Sequence, residues 1–227
     1  MQNLLITGHK GTIGSILYRN LSQYHHVTGL DLPESDVRDY ETVDTHMSGI
    51  DVVIHVAHSQ KPSWRENYRS GYIDPDNTTM EMNVLEAARS HNVNRVIMAS
   101  SVHADNYELL SQDQKLLTTP GSYQPDSPYG AHKLILESVG AHYARQGYLS
   151  FIGVRFGGVD SVNTPPSHPD RPCVWLSHRD LTYAITACIN AAAVPNNYAV
   201  FYAVSDSAGR VHDWSNPFGW EPMDCIN

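Results

Sequence analysis

The sequence predicts an α/β protein with a doubly wound parallel sheet, and three observations carry that prediction. The apolar run Leu4-Leu5-Ile6 feeds directly into the glycine-rich turn Thr7-Gly8-His9-Lys10-Gly11-Thr12-Ile13-Gly14. Apolar strands and helices then alternate along the chain. Far downstream, Tyr129 and Lys133 stand i and i+4 on a predicted helix, after a strand that ends in Ser100-Ser101.

The N-terminal unit reads as a buried strand, a turn and a helix, with Ser15 to Leu21 carrying apolar residues at helical spacing. Gly8 suits a tight exit from the strand, Gly11 a close approach of a diphosphate, and Gly14 close packing of helix on sheet. The first helical N–H groups, around Thr12 and Ile13, then face an anion. The spacing is G-x-x-G-x-x-G rather than the commoner G-x-G-x-x-G. Glycines also mark plain turns, but the position of this triplet directly after an N-terminal strand favours a dinucleotide site.

His26 to Leu30 reads as the second strand and ends at Asp31. An acidic side chain about twenty positions past the glycine turn accepts from the adenosine ribose hydroxyls and repels a 2′-phosphate. NAD is therefore expected over NADP. Lys10 pulls the other way, and Asp31 also suits a plain strand-end turn. Asp36 is placed to meet the adenine amino group, with Val37 beside it, before a helix at Tyr40 to Met47. Asp51 to Ala57 is a further buried strand whose end, Val56-Ala57, lies along the cofactor. His55 and His58 point to opposite faces of that strand, with no carboxylate or cysteine beside them, so no metal is expected.

Ser59 to Pro75 is polar with Trp64, Tyr68 and Tyr72, and reads as a loop over the carboxyl ends of the strands. Asp76 to Ser90 is a helix, and Val96 to Ala99 is counted as the fifth strand, ending at Ser100-Ser101. Ser127 caps a helix with Pro128 in its first turn. On it Tyr129 and Lys133 share one face. A phenol is a poor base at neutral pH, and an ammonium beside it stabilises the phenolate. Ser101 would hold the substrate oxygen. The same Y-x-x-x-K spacing also occurs as an ordinary surface pair. A sixth strand at Leu149 to Arg155 is followed by a strand near Cys173 to Ser177, a helix near Arg179 to Ala192 and a strand near Tyr198 to Val204. Asn163 to Pro169 reads as a lid or an irregular connector.

The 227 residues suit one domain, with residues 1–160 as the nucleotide-binding core and 161–227 as a small substrate-binding extension. A formal net charge of -9 gives no electrostatic case for nucleic acid or an anionic membrane surface. Cys173, Cys188 and Cys225 are scattered, which argues against a disulfide framework or a zinc site. No signal-peptide pattern or membrane-length apolar run is visible, so a cytoplasmic location is expected.

These pieces together resemble the extended short-chain dehydrogenase/reductases, the group of nucleotide-sugar epimerases and dehydratases. The matching stretches are Thr7-Gly8-x-x-Gly11-x-x-Gly14, Asp31, Asp36-Val37, Asn83 to Ala88, Ser100-Ser101 and Tyr129-x-x-x-Lys133. The resemblance implies Ser101, Tyr129 and Lys133 as a catalytic triad, with Asn77 where the family often has a proton-relay asparagine. It also implies cofactor contacts from Tyr129, Lys133 and Phe156, and a homo-oligomer built on the Tyr129 helix. Ser101-Val102-His103, Arg171 to Asp180 and Phe218-Gly219-Trp220-Glu221-Pro222 are similar to the uronate dehydrogenases. That likeness implies substrate contacts from Ser101, His103 and Tyr129, with Arg171 on a sugar carboxylate. The expected function is NAD-dependent oxidation of a small free sugar or sugar acid at C1. An epimerase or dehydratase with held NAD, and a non-catalytic dinucleotide-binding protein, are the alternatives.

Overall fold

The computed structural model describes residues 1–59, 73–110, 116–121, 123–167 and 173–226. Six parallel strands form one sheet: β1 (Asn3–Thr7), β2 (His26–Leu30), β3 (Val52–His55), β4 (Arg95–Ser101), β5 (Ser150–Phe156) and β6 (Tyr198–Ala203). Their spatial order is β2-β1-β3-β4-β5-β6. The winding direction reverses at β1, where the ends of β1 and β3 open a crevice.

Alternate residues of the strands feed two cores, as a two-period strand buried on both faces requires. Leu4 and Ile6 meet Ile16 and Leu17 of α1 (Thr12–Leu21) and Leu181 and Ile185 of the helix His178–Asn190. Leu5 faces the other way, toward Val43 of α2 (Tyr40–Thr45) and Val84 and Leu85 of α3 (Pro75–Ser90). Leu136 joins that second core from the helix Pro128–Arg145. A short α4 (Tyr107–Leu110) precedes that helix, which is therefore α5, and His178–Asn190 is α6. Asp206–Ser207 (β7) and Cys225–Ile226 (β8) make a separate two-stranded pair.

Two expectations need correction. Val96–Ala99 and Leu149–Arg155 fall in the fourth and fifth strands, not the fifth and sixth. The stretch Asp36–Asp39 leads into α2 through turns: Asp36 accepts from the Arg38 N–H, and Asp39 caps α2. Among the described residues no strand pairs outside β2. The expected strand at Cys173–Ser177 is also absent. Cys173 bonds to Gly209, Val174 and Leu176 to Gly158, and Trp175 to Ser205, so the segment has no single partner to run beside.

The sheet is locked to α5 by an ion network that the sequence reading did not find. Arg155 is fully buried and forks onto Glu137 with two bonds of 2.8 Å. It also donates to Asp105 at 2.7 Å and to Tyr202 at 2.9 Å. Glu137 further accepts from Ser100 at 2.5 Å. Breaking one partner of such a buried set costs about 3–5 kcal/mol, because a charge is left uncompensated. Ser100 is consumed by this network, and its neighbour Ser101 is not.

Candidate active site

The glycine turn joins β1 to α1 at the crevice. Gly8 has a φ of 77°, and a Cβ there would fall 2.6 Å from Ala57 at the end of β3. A Cβ on Gly14 would fall 2.0 Å from the Gly8 carbonyl oxygen, so only glycine lets α1 close on the turn. Gly11 precedes α1 as its N-cap and supplies no side-chain bond to it. The first N–H groups of α1 therefore point into the crevice unclaimed by a capping side chain.

A cleft of about 680 Å³ opens there. Gly8, Gly11, Thr12, Ile13, Gly14, Asp31, Asp36, Val37, Val56 and Ala57 all line it. Lys10, Ser35, Arg38, His58, Ser59, Met80 and Val159 complete its wall. Of these, His58 entered the sequence analysis only as a metal candidate. Asp31 is held by the N–H groups of Lys10 and Leu32, both at 2.8 Å. Its remaining lone pairs are open to ribose hydroxyls. The Asp36 carboxylate is turned onto Arg38, whose guanidinium also reaches Asp76 at 2.8 Å. Arg38 holds the Asp36 carboxyl below the ordinary carboxylate range. Phe156 does not line the cleft; it packs in the core under the end of β5.

A second set of residues gathers at the end of β4 and the start of α5. Ser127 caps α5 by accepting from the Gly130 N–H at 3.1 Å, and Pro128 fills the first turn as expected. Its hydroxyl donates to Asp126 at 2.6 Å. The other oxygen of Asp126 lies 2.5 Å from His103 Nδ1. Ser101 caps the 3₁₀ turn Val102–Ala104 by accepting from the His103 N–H at 3.3 Å. The His103 ring meets the Tyr129 ring edge-on with centroids 5.9 Å apart. Lys133 Nζ lies 5.5 Å from the Tyr129 ring centre, and Lys133 is buried. Asn77, on α3, accepts from the Ser59 N–H at 2.7 Å and shares a small cavity with Tyr129. Ser101, His103, Tyr129, Lys133 and Asn77 thus converge from three parts of the chain. Arg171 and residues 60–72 of the aromatic loop lie outside the described residues.

Two histidines beside this set are kept neutral. Burial, then the nearby Lys133 ammonium, pushes His58 down to about 2 and His55 down to about 3. His55 Nδ1 is 2.7 Å from the Thr7 hydroxyl, which ties β1 to β3 under the turn. Among the described residues no group of three His, Cys, Asp or Glu side chains could hold a metal, and no helix is long and apolar enough to cross a membrane.

The segment resembling uronate dehydrogenases has a structural task. Ser177 donates to Asp224 at 2.5 Å, and Arg179 also pairs with Asp224. Asp180 accepts from the Met223 N–H at 2.7 Å and from Ser205 at 2.6 Å. These bonds fasten the C-terminal segment, with Trp220 buried in the α1–α6 core, to the start of α6.

Comparison with known proteins places this architecture. The model of the NAD dependent epimerase/dehydratase family matches residues 4–173. The chain is 25% identical to an L-arabinose 1-dehydrogenase (NAD(P)(+)) of Haloferax volcanii, over 99% of this chain and 97% of that protein. It is 28% identical to a uronate dehydrogenase of Pseudomonas putida, over 97% of this chain and 84% of that protein. A mutant uronate dehydrogenase from Agrobacterium tumefaciens, solved with NAD, superposes with a TM-score of 0.81 at 22% identity, covering 99% of this chain and 86% of that one. The chain belongs to the NAD dependent epimerase/dehydratase family, with the NAD cofactor that the sequence led us to expect.

Proposed function

We propose that this protein oxidises a small free sugar or sugar acid at C1, with NAD in the 680 Å³ cleft and Ser101, Tyr129 and Lys133 at the reacting end. The observation that carries the reading is the convergence of Tyr129, Lys133 and His103 around one point: Lys133 Nζ 5.5 Å and the His103 ring 5.9 Å from the Tyr129 ring. The cleft fits the dinucleotide. Gly14 removes the Cβ that would close the turn, α1 offers uncapped N–H groups to a diphosphate, and Asp31 stands at the end of β2 for the ribose.

When bound, NAD supplies the hydride acceptor. The protein supplies the proton chemistry and the orientation. Tyr129, as phenolate, takes the proton of the C1 hydroxyl. The Lys133 ammonium stabilises the negative charge on that oxygen in a dry setting. Ser101 donates to the reacting oxygen and fixes its distance from Tyr129. Asp126 fixes the His103 ring edge-on to Tyr129, where it can meet the substrate. Arg171 is assigned to the carboxylate of a sugar acid, since its planar fork matches two carboxylate oxygens. Relatives named for L-arabinose, uronate and glucose-6-phosphate support the choice of a sugar. The test is a panel of free aldoses and hexuronates, with NADH and NADPH absorbance followed in parallel for the two cofactors. Formation of reduced cofactor from a free sugar or uronate is the expected result. Epimer formation with cofactor retained on the protein would replace this reading.

A further inference from the structure

A cavity of about 10 Å³ lies between α3 and α5. That is room for roughly one water molecule. Its described wall brings together His58, Asp74, Asn77, Tyr129 and His132, with Ile73 and Pro128. Both ring nitrogens of His58, both of His132 and one oxygen of Asp74 are buried there without a hydrogen-bond partner in the protein. Buried polar groups of this kind are ordinarily satisfied, and a water needs two to four such partners.

His132 follows Tyr129 by three positions on α5, so the two side chains are neighbours on one side of the helix. Its Nε2 lies 3.2 Å from Glu81 Oε2 on α3, off the line of a good hydrogen bond, and both side chains are almost fully buried. His58 stands between: its ring is edge-on to Tyr129 at 5.3 Å and 6.4 Å from the His132 ring. The charged or titratable groups facing this space are Glu81 and Asp74 from α3, Lys133 and Tyr129 from α5, and His55 and His58 from the end of β3. His58 lies near the Lys133 cation and, among the described residues, forms no ion pair with a carboxylate, so it can orient a water but is a poor holder of a proton. His132 has the Glu81 carboxylate at 3.2 Å to balance an imidazolium.

We propose that His132, paired with Glu81, receives through one water in this cavity the proton that Tyr129 takes from the substrate hydroxyl. The inference rests on Tyr129 being the base of the proposed reaction. In each turnover Tyr129 takes the substrate O–H proton, and bound NAD would accept the C–H hydride. Tyr129 regains its negative charge by giving that proton to the water, which gives one of its own to His132. The proton then leaves for bulk water past Asp74 and Ile73, and Ile73 is 39% exposed. His132 acts through Tyr129 and never touches the substrate.

The test combines turnover with a direct titration. His132→Gln keeps size and polarity but cannot carry the charge. It should lower kcat at least tenfold with KM and NAD affinity unchanged, and raise the solvent deuterium isotope effect on kcat. Glu81→Gln should shift the acid limb of the kcat profile. A loss of kcat with an unchanged pH profile and unchanged isotope effect means a packing role and overturns the relay, as does unimpaired kcat. Ring 15N chemical shifts of His132 in the parent protein and in Tyr129→Phe give a readout free of turnover. The relay predicts that the His132 midpoint moves when the phenol hydroxyl is removed; an unmoved midpoint overturns it. Failure of the sugar panel alone leaves this titration intact, so the two readings fall separately.

Discussion

The ammonium of Lys10 is paired with the carboxylate of Glu34, and it also donates to the Leu32 carbonyl at 3.1 Å. The cation that spoke for a 2′-phosphate is thus already engaged, while Asp31 faces the same cleft. NAD should be preferred over NADP in kcat/KM. Glu34→Gln should narrow the preference by freeing Lys10, and Asp31→Ala should narrow it further by removing the like charge. Paired kcat/KM values for the two cofactors check both. A preference unmoved in Glu34→Gln would show that Lys10 does not reach the phosphate.

Gly130 sits directly under the 3₁₀ turn that holds His103. A Cβ there would lie 1.9 Å from the His103 carbonyl oxygen, which is backbone and has little room to give. Gly130→Ala should therefore push α5 away from Ser101 and His103. We expect a loss of about 1–3 kcal/mol in stability. The fall in kcat should be larger than the fall in NAD affinity, because the cleft is built by other elements. Thermal unfolding with cofactor-binding titration measures the two effects separately.

Acid should destabilise this protein earlier than its carboxylates alone dictate. Burial lowers His212 from 6.5 to about 3, and its ring packs 4.4 Å from that of Tyr202. Asp105, Arg155 and His103 are the charged or titratable groups nearest it. His55 and His58 are lowered in the same sense. Each has a folded pKa below its unfolded value, so the unfolded chain binds the proton first as pH drops through 6.5. The stability these groups contribute is complete above that pH and is lost progressively toward about 3. Asp36, Glu86 and Asp160 are lowered from near 4, so their losses begin only in the lower part of the histidine window. The Tm should fall between pH 6.5 and 4.5, and His212→Phe should flatten that fall while keeping the ring stack. An equal slope in the variant would assign the acid sensitivity elsewhere.

Local sequence made most of the frame legible. The glycine turn, the cap Ser127-Pro128 and the i, i+4 pair Tyr129 and Lys133 are short-range signals, and the helix and cleft they predict are present. Long-range partners were not legible. Arg155, Glu137, Asp105 and Tyr202 lie on four different segments, and no spacing announces that they meet. The same holds for His132 and Glu81. His58 was weighed only as a metal ligand on a strand, where the relevant fact is its contact with Tyr129 across the fold. Phe156, assigned to the cofactor, has its side chain turned into the core by the alternation of β5, so that assignment rests on the resemblance alone. The likeness around Trp175 to Asp180 is accounted for by bonds that fasten the C-terminal segment, so it speaks more to architecture than to substrate.

The most direct test of the central claim removes one oxygen atom. Tyr129→Phe should abolish formation of NADH from whichever free sugar or uronate the parent enzyme oxidises, while NAD binds with its affinity unchanged. Near-normal kcat in the Phe variant would contradict the assignment of proton transfer to Tyr129, and with it the active site described above.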